Sequence, residues 1–358
     1  MADALERAAA GETEHYIESC ERLLERTLGV HRAMLVTSCT HALEASALLL
    51  DLAAGDEVIV PSFTFVSCAN AIVLRGARPV FADIRADSLT LDPASVERLI
   101  TPRTKAVMLV DYAGFSPDAE AFAALAAQRG LTLVEDNAPG LFARQNGRSL
   151  GTFGALATVS FDAAKNITCG AGGALLINDP AFAARAEIIR EKGTDRAGFR
   201  RGDVETYTWR DVGSNYVIAD VLAAQLLAQL EDRDAIRRKR RALWDGYHER
   251  LSAWAAARGV RLPYVPPGAD QIYHAYALMM PNAHARDRFL ERLRAAGIGA
   301  LSHYTPLHRS PAALGRGFRT ACPVTDAVCS TIVRLPLFTQ MSQAEHDRVV
   351  DAVLHADP

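Results

Sequence analysis

From residue 33 to residue 136, short apolar runs alternate with stretches of helical periodicity, and this alternation constrains the fold more than any other feature. AMLVT (33–37), EVIVP (57–61), PVFADI (79–84), KAVMLVD (105–111) and LTLVED (131–136) read as buried strands. They are too short for helices and mostly uninterrupted by charge. Helical patterns follow the first four, at 42–50, 66–74, 93–100 and 118–129. An amphipathic helix over 13–28 precedes them, with Tyr16, Cys20, Leu23 and Leu24 at helical spacing. Strand–helix–strand units of this length imply an α/β fold, with a mostly parallel sheet flanked by helices on both faces. ALATVSF (155–161) and GALLIND (173–179) are two further strand candidates.

At 358 residues the chain is long enough for two domains. We expect a large domain over 1–240 and a small C-terminal α+β domain over 241–358. Residues 193–215 are polar and aromatic with little periodicity, and a loop of this length is usually functional or partner-bound. Ile218, Leu222, Leu226 and Leu230 then recur every fourth residue and open a long helix. The charge run RRKRR (237–241) on that helix reads as a solvated face. RLPYVPPGAD (261–270) reads as a connector. Beyond it, YHAYALMM (273–280) is strand-like, with helices near 286–296, 324–332 and 342–354.

Composition removes several classes of function. Lys plus Arg number 39 and Asp plus Glu 42, a net charge of −3 that offers no general attraction to nucleic acid or an anionic membrane. No apolar run approaches the roughly 20 residues of a membrane helix. The opening MADALERAAAGETEHY is charged and lacks the apolar stretch of a secretory signal. The six cysteines are scattered without a CxxC, so we expect reduced thiols, no metal site and a cytoplasmic protein.

Open α/β sheets bind ligands at the carboxyl ends of their strands. Three groups stand there. Ser38-Cys39-Thr40 opens a helix, where free backbone N–H groups and the helix dipole favour an anion, although simple capping explains the same residues. Asp136 closes a strand, and taken alone suits a metal, a base or a cationic ring nitrogen, while a structural hydrogen bond to a loop explains it just as well. Lys165 lies in SFDAAKN (160–166), which leads to Gly170-Ala171-Gly172-Gly173. Those glycines precede a strand, so they are not a dinucleotide fingerprint. In combination, an anion site, a carboxylate and a lysine are the parts that hold pyridoxal 5′-phosphate: the amine forms a Schiff base, the carboxylate keeps the ring nitrogen protonated, and the helix start holds the phosphate.

At this point the chain resembles the DegT/DnrJ/EryC1/StrS sugar aminotransferases, fold type I. TSCTHALEASALLLDLAAGDEVIVPSFTFVS, VEDNAPG, SFDAAKNITCGAGGALLIND and HYTPLHRSP match in order across nearly the whole chain. The stretch 190–216, REKGTDRAGFRRGDVETYTWRDVGSNY, is similar to the TDP-4-oxo-6-deoxy-D-glucose transaminases within that family. The resemblance implies that Lys165 is the Schiff-base lysine and proton shuttle, and that Asp136 pairs with the pyridinium. Phe65 would stack on the ring, and Ser38, Cys39, Thr40 and Ser160 would contact the phosphate. Asn215 would reach a neighbouring subunit's cofactor, making a homodimer with shared sites. For the nucleotide-linked sugar, Arg196, Arg200, Tyr207 and Trp209 are candidates in the middle loop, with His303, Tyr304 and His308 closing from the small domain.

Some positions depart from the family pattern. Pro139 stands where Gln or His usually contacts the cofactor, leaving Asn137 or a water to substitute. Asp111 and Asp162 also occupy positions where the family often has His or another residue. The opening is short, and Gly11-Glu12-Thr13 only loosely matches the usual turn. The implied reaction moves an amino group from glutamate to the C4 ketone of a TDP-4-oxo-6-deoxyhexose. The alternatives are amination at C3 of a 3-oxo sugar, or a cofactor-binding regulatory protein without turnover.

Overall fold

The computed structural model describes residues 3, 6 and 15–356. The Gly11-Glu12-Thr13 turn lies outside them. Helix α1 (His15–Leu28) buries Ile17, Cys20, Leu24 and Leu28 along one stripe. Its Glu21 is buried as well: the carboxylate accepts the Leu35 N–H at 2.9 Å and pairs with buried Arg190 at 2.5 Å. A charge is tolerated at such a depth because both partners answer it.

The chain then alternates strand and helix: β1 (Arg32–Val36), α2 (Cys39–Leu49), β2 (Glu57–Pro61), α3 (Val66–Leu74), β3 (Arg78–Ala82), α4 (Pro93–Leu99), β4 (Thr104–Val110), α5 (Ala119–Arg129), β5 (Thr132–Asp136), β6 (Leu156–Ser160) and β7 (Gly173–Ile177). These strands form one seven-stranded sheet in the order β1-β7-β6-β5-β4-β2-β3. β7 runs antiparallel to both its neighbours, and the other pairings are parallel. β2, β6 and β7 are buried along their whole length, as strands covered on both faces must be. The expected mostly parallel, helix-flanked sheet is therefore present.

Strand registry sets the site. Val110 pairs with Asp136, and Asp136 with Thr158, while Ser160 and Val36 both pair with Gly173. The ends of β1, β4, β5 and β6 thus meet at one edge. A Cβ on Gly173 would come within 2.4 Å of the Cys39 nitrogen, so only glycine lets this strand approach the start of α2.

Past β7 come α6 (Ala183–Arg190), α7 (Arg196–Arg201), α8 (Asp220–Glu231) and α9 (Arg233–Arg258). Here the structure differs from expectation in three ways. The 193–215 segment contains α7, a short helix closed by the left-handed Gly202. The long helix expected from residue 218 is two helices parted at Asp232. The RRKRR run is not uniformly solvated, because Arg240 is 3% exposed and donates to the carbonyls of Tyr273, His274 and Leu337. Helical phase turns that one position of the run inward, and backbone oxygens satisfy its guanidinium.

The remaining chain packs β8 (Tyr276–Met279) against β9 (Ile332–Leu335) as an antiparallel pair. α10 (Ala283–Ala295), α11 (Pro323–Thr331) and α12 (Gln343–His355) accompany them. Tyr247, Leu251, Tyr276, Phe289, Val333 and Val350 form the core of this part. α9 runs unbroken through residues 240 and 241 and contributes Leu243, Tyr247 and Leu251 to that core. Strand β9 was not expected, since four residues directly after a helix carry too little periodicity to separate them from it.

Candidate active site

A cavity of about 360 Å³ opens where the strand ends meet the small C-terminal part. Ser38, Cys39, Thr40, Phe65, Asp136, Ser160 and Lys165 line it from the sheet side. Tyr112, just after β4, joins them, and His303 and Tyr304 line it from the other side together with His274 and Arg334. Nine of the sequence candidates are thus gathered around one space.

Each is positioned by local structure. Ser38 is the N-cap of α2, and its hydroxyl accepts the His41 N–H at 3.1 Å. The first-turn N–H groups of Cys39 and Thr40 have no carbonyl within the helix to bond, and both residues line the cavity, where such groups can hold an anion. The Thr40 hydroxyl meets that of Ser67 at 2.8 Å. Phe65 precedes α3 and is 56% exposed, a flat apolar face standing in the opening.

Asp136 is buried and firmly held. Its Oδ1 accepts the Ala138 N–H at 3.1 Å, and the Cys68 thiol donates to Oδ2 at 3.0 Å. Cys39 and Thr158 approach Oδ1 at 3.8 and 3.5 Å. Burial, reinforced by the Asp136 charge, pushes both thiols upward, so they stay protonated donors. The neighbouring Glu135 points the other way and accepts three N–H groups, from Gly151, Phe153 and Gly154. Burial still pushes Glu135 up to about 7. Asp111 lies beneath the site without reaching the cavity, its carboxyl fully buried and unbonded among the described residues. Burial, then Glu135 and Asp136, push it well above the carboxylate range.

Lys165 follows a turn closed by its own N–H to the Asp162 carbonyl at 2.9 Å. Its neighbour Asn166 anchors the turn, donating to the Ile272 carbonyl at 2.8 Å and contacting His274 Nδ1 at 3.0 Å. Among the described residues no carboxylate pairs with Lys165. The opposite wall carries histidines that are neutral. Burial, Arg334 and Lys165 lower His303 to about 4; burial, Lys165 and Arg334 hold His274 well below the imidazole range. His303 stacks on Tyr304 with ring centroids 4.3 Å apart.

The depressed His303 predicts a pH response. The unfolded chain takes up this proton near 6.5, whereas the folded site resists it until about 4. The unfolded state therefore binds more protons across that window, and stability falls as pH drops from 6.5 towards 4. Melting temperature followed across the window should decline, and His303→Gln should flatten the decline; an equal slope in the variant contradicts the assignment.

Other sequence candidates lie elsewhere. His308 does not reach the cavity, because it is buried against the Ser62 hydroxyl at 2.6 Å and Asp326 at 3.3 Å, where it ties two chain segments together. Arg200 meets the Glu191 carboxylate. Arg196, Tyr207 and Trp209 also stand outside the cavity of their own chain, with Trp209 75% exposed. Asn215 is exposed and bridges Glu191 through its backbone. Pro139 does line the cavity, but Asn137 does not replace the missing side chain, since it is buried and donates to the Leu150 carbonyl. His274, Arg334 and Tyr112 were not foreseen. Their only sequence signal is a polar residue inside a strand, or next to a strand end, which is too common to single out.

The site fits pyridoxal 5′-phosphate. It offers a carboxylate with protonated donors around it, helix-start N–H groups, a flat apolar side chain and an unpaired lysine within one space. Among the described residues no cluster of three or more His, Cys, Asp or Glu side chains is placed to hold a metal ion.

Comparison with known proteins agrees. The model of the DegT/DnrJ/EryC1/StrS aminotransferase family matches residues 2–354. The aminotransferase TlmJ from Streptoalloteichus hindustanus is 32% identical with a TM-score of 0.91, over 99% of this chain and 94% of that one. DesV from S. venezuelae is 31% identical with a TM-score of 0.88, over 99% and 93%. 3-Amino-5-hydroxybenzoic acid synthase is 29% identical with a TM-score of 0.87, over 99% and 94%.

Proposed function

Because the chain belongs to the DegT/DnrJ/EryC1/StrS aminotransferase family, and is a sugar aminotransferase dependent on pyridoxal 5′-phosphate, we propose that it aminates a nucleotide-linked keto-deoxysugar. The substrate is TDP-4-oxo-6-deoxy-D-glucose, the product a TDP-4-amino-4,6-dideoxyhexose, and glutamate the amino donor. The observation that carries the reading is Lys165 and Asp136 lining one cavity beside the start of α2. The choice of sugar rests on residues 190–216. The family likeness alone leaves it open, since 3-amino-5-hydroxybenzoic acid synthase shares the fold.

When bound, the cofactor supplies a ring that accepts the electron pair left when a proton departs from the amine-bearing carbon. Lys165 Nζ would take that proton and give it back to the cofactor carbon on the other side of the transferred nitrogen, a general base and acid in turn. Asp136 accepts the ring N–H and keeps the nitrogen cationic. The Cys68 thiol and the Ala138 N–H hold the carboxylate in the required orientation. The N–H groups of Cys39 and Thr40, with the hydroxyls of Ser38, Thr40 and Ser160, bind the phosphate. Phe65 covers the ring face and excludes water. His303 and Tyr304 border the sugar.

The protein works as a cytoplasmic homodimer, with 1–240 as the cofactor-binding unit and 241–358 as the small unit. Support for the dimer is the exposure of Phe199, Tyr207, Trp209 and Val212 on the middle segment, apolar area that a partner would cover. Asn215 would then complete the phosphate contacts of the neighbouring site, and Arg196, Arg200, Tyr207 and Trp209 would face its nucleotide.

The test is product analysis. Purified protein, cofactor and glutamate are incubated with TDP-4-oxo-6-deoxyglucose and, separately, with a TDP-3-oxo-6-deoxyhexose. We expect amine only in the first, with proton couplings placing nitrogen on C4. Amine only from the 3-oxo sugar replaces the regiochemistry, and no amine transfer from glutamate to either overturns the reading.

A further inference from the structure

We propose that His274 is a positioning residue for Lys165: its Nδ1–H clamps the turn that carries the lysine, and its Nε2 lone pair receives a hydrogen bond from the lysine ammonium. This deepens the transaminase reading above and rests on it. The tautomer follows from the bonds around the ring. Asn166 donates its amide N–H to the Ile272 carbonyl at 2.8 Å, which fixes the amide and leaves Oδ1 towards His274. That oxygen lies 3.0 Å from His274 Nδ1 and can only accept, so Nδ1 carries the hydrogen. Burial, then the charges of Lys165, Arg334 and Arg240, keep the ring uncharged. A neutral imidazole has one N–H, and Nε2 is left as a bare acceptor.

The backbone that presents this ring is held from behind by α9. Arg240 donates to the carbonyls of Tyr273 at 3.0 Å and His274 at 2.8 Å, and Trp244 Nε1 donates to that of Ala275 at 3.2 Å. Consecutive carbonyls on either side of the ring are thus tied to one helix. Tyr273 itself has a φ of 56°, in the left-handed region that an aromatic residue rarely adopts. Such a conformation persists only where its surroundings over-determine it, and it clusters at functional sites. Asn166, the residue after Lys165, joins this frame through both ends of its amide. The lysine turn is thereby bonded to the segment that leads into β8.

Nε2 meets no donor among the described residues, and His274 lines the cavity that Lys165 also lines. The lone pair is needed when Lys165 takes the proton from the donor carbon, because the amine then becomes an ammonium with no carboxylate paired to it. Of the acids lining the cavity, Asp136 is held by the Cys68 thiol and the Ala138 N–H, and Asp162 turns Oδ1 back to the Ala164 N–H of its own turn. Both ring nitrogens of His303 stand against Arg334 Nη1, at 3.1 and 3.2 Å. His274 keeps a free lone pair. A charge-assisted hydrogen bond from the ammonium to Nε2 stabilises the charge, while the proton stays on Nζ for its return.

Two substitutions separate the two nitrogens. In His274→Asn the amide nitrogen hangs on Cγ, as Nδ1 does, and still donates to Asn166, but nothing stands at the Nε2 place. In His274→Gln the amide lies one bond further out and offers Oε1 near that place. The first readout uses the full chain without cofactor: acetylation of Lys165 by acetic anhydride at neutral pH, followed by peptide mass spectrometry. Losing the acceptor leaves the amine less protonated, so Lys165 of His274→Asn should react about tenfold faster, with His274→Gln nearer the parent. The second is single-turnover amine transfer from glutamate to the cofactor in the holoenzyme, with the glutamate α-carbon protiated or deuterated. In His274→Asn it should be about tenfold slower with a larger isotope effect, glutamate affinity should stay within about twofold, and His274→Gln should recover part of the rate. Parent-like values of both readouts in His274→Asn overturn the proposal. So does equal loss in both variants with a lowered melting temperature, the mark of a packing role. A variant slowed only in the step with the keto sugar assigns Nε2 to a sugar hydroxyl and overturns it too. Acetylation does not depend on turnover, so a parent enzyme that takes no amine from glutamate overturns the transaminase reading while the labelling still decides the role of His274.

Discussion

Lys165→Ala protein is expected to lose transamination by about 10⁴-fold or more, while still binding pyridoxal 5′-phosphate. The lysine is assigned both the covalent link and the proton transfer, and general acid–base catalysis alone contributes up to about 10⁴-fold. The alanine variant removes no buried packing, because Lys165 follows an exposed turn and only its backbone N–H is used there. Folding should be retained. The decisive readout is covalent attachment. Borohydride treatment of parent holoenzyme should fix the cofactor's mass on the protein, and the alanine variant should gain none. The variant should also lack the visible absorbance of a lysine-linked pyridoxal group. A variant that keeps both the attachment and the turnover shows that a different amine is used.

Asp136→Asn should come next in size, with turnover reduced by about 10³-fold, the scale seen when a single preorganised electrostatic contact to developing charge is removed. Asparagine is nearly isosteric and its oxygen still accepts the Ala138 N–H, so the strand end should keep its shape. What it lacks is the charge that holds the ring nitrogen protonated. The Cys68 thiol that now donates to Oδ2 would then face a neutral amide. The effect should fall on turnover more than on glutamate affinity, and cofactor release on dilution should quicken. A variant within threefold of the parent contradicts the assignment of Asp136 to the ring nitrogen.

These two residues were legible before any coordinates because the signal for each is local. A carboxylate that ends an apolar run, and a lysine just after another run, lie at strand ends in any parallel sheet. Ser38, Cys39 and Thr40 were legible for the same reason, being the link between a strand and a helix. In combination they pointed to pyridoxal 5′-phosphate, and the resemblance then gave each its role. Arg334, His274 and Tyr112 were not legible. Strand alternation says that a side chain points to one face or the other, but not which face borders a cavity. That depends on how the small C-terminal part packs against the sheet edge.

His308 shows the opposite error. In HYTPLHRSP it has the same chemistry as His303, five residues earlier, yet it is consumed by Ser62 and Asp326. Asn137 behaves alike, its amide turned to a backbone carbonyl. Arg240 was lost in a charge run whose helical phase is invisible until the helix has a neighbour.

The order of residues along this chain determined its layers, the strands of its main sheet, and the carboxylate, lysine and helix start that meet at one edge, because each follows from local periodicity and from where a strand must stop. Packing alone decided which cations stay unanswered and which buried acids are pushed above the carboxylate range. Burial and pairing depend on neighbours far away in the chain, and no local pattern encodes the distance between them.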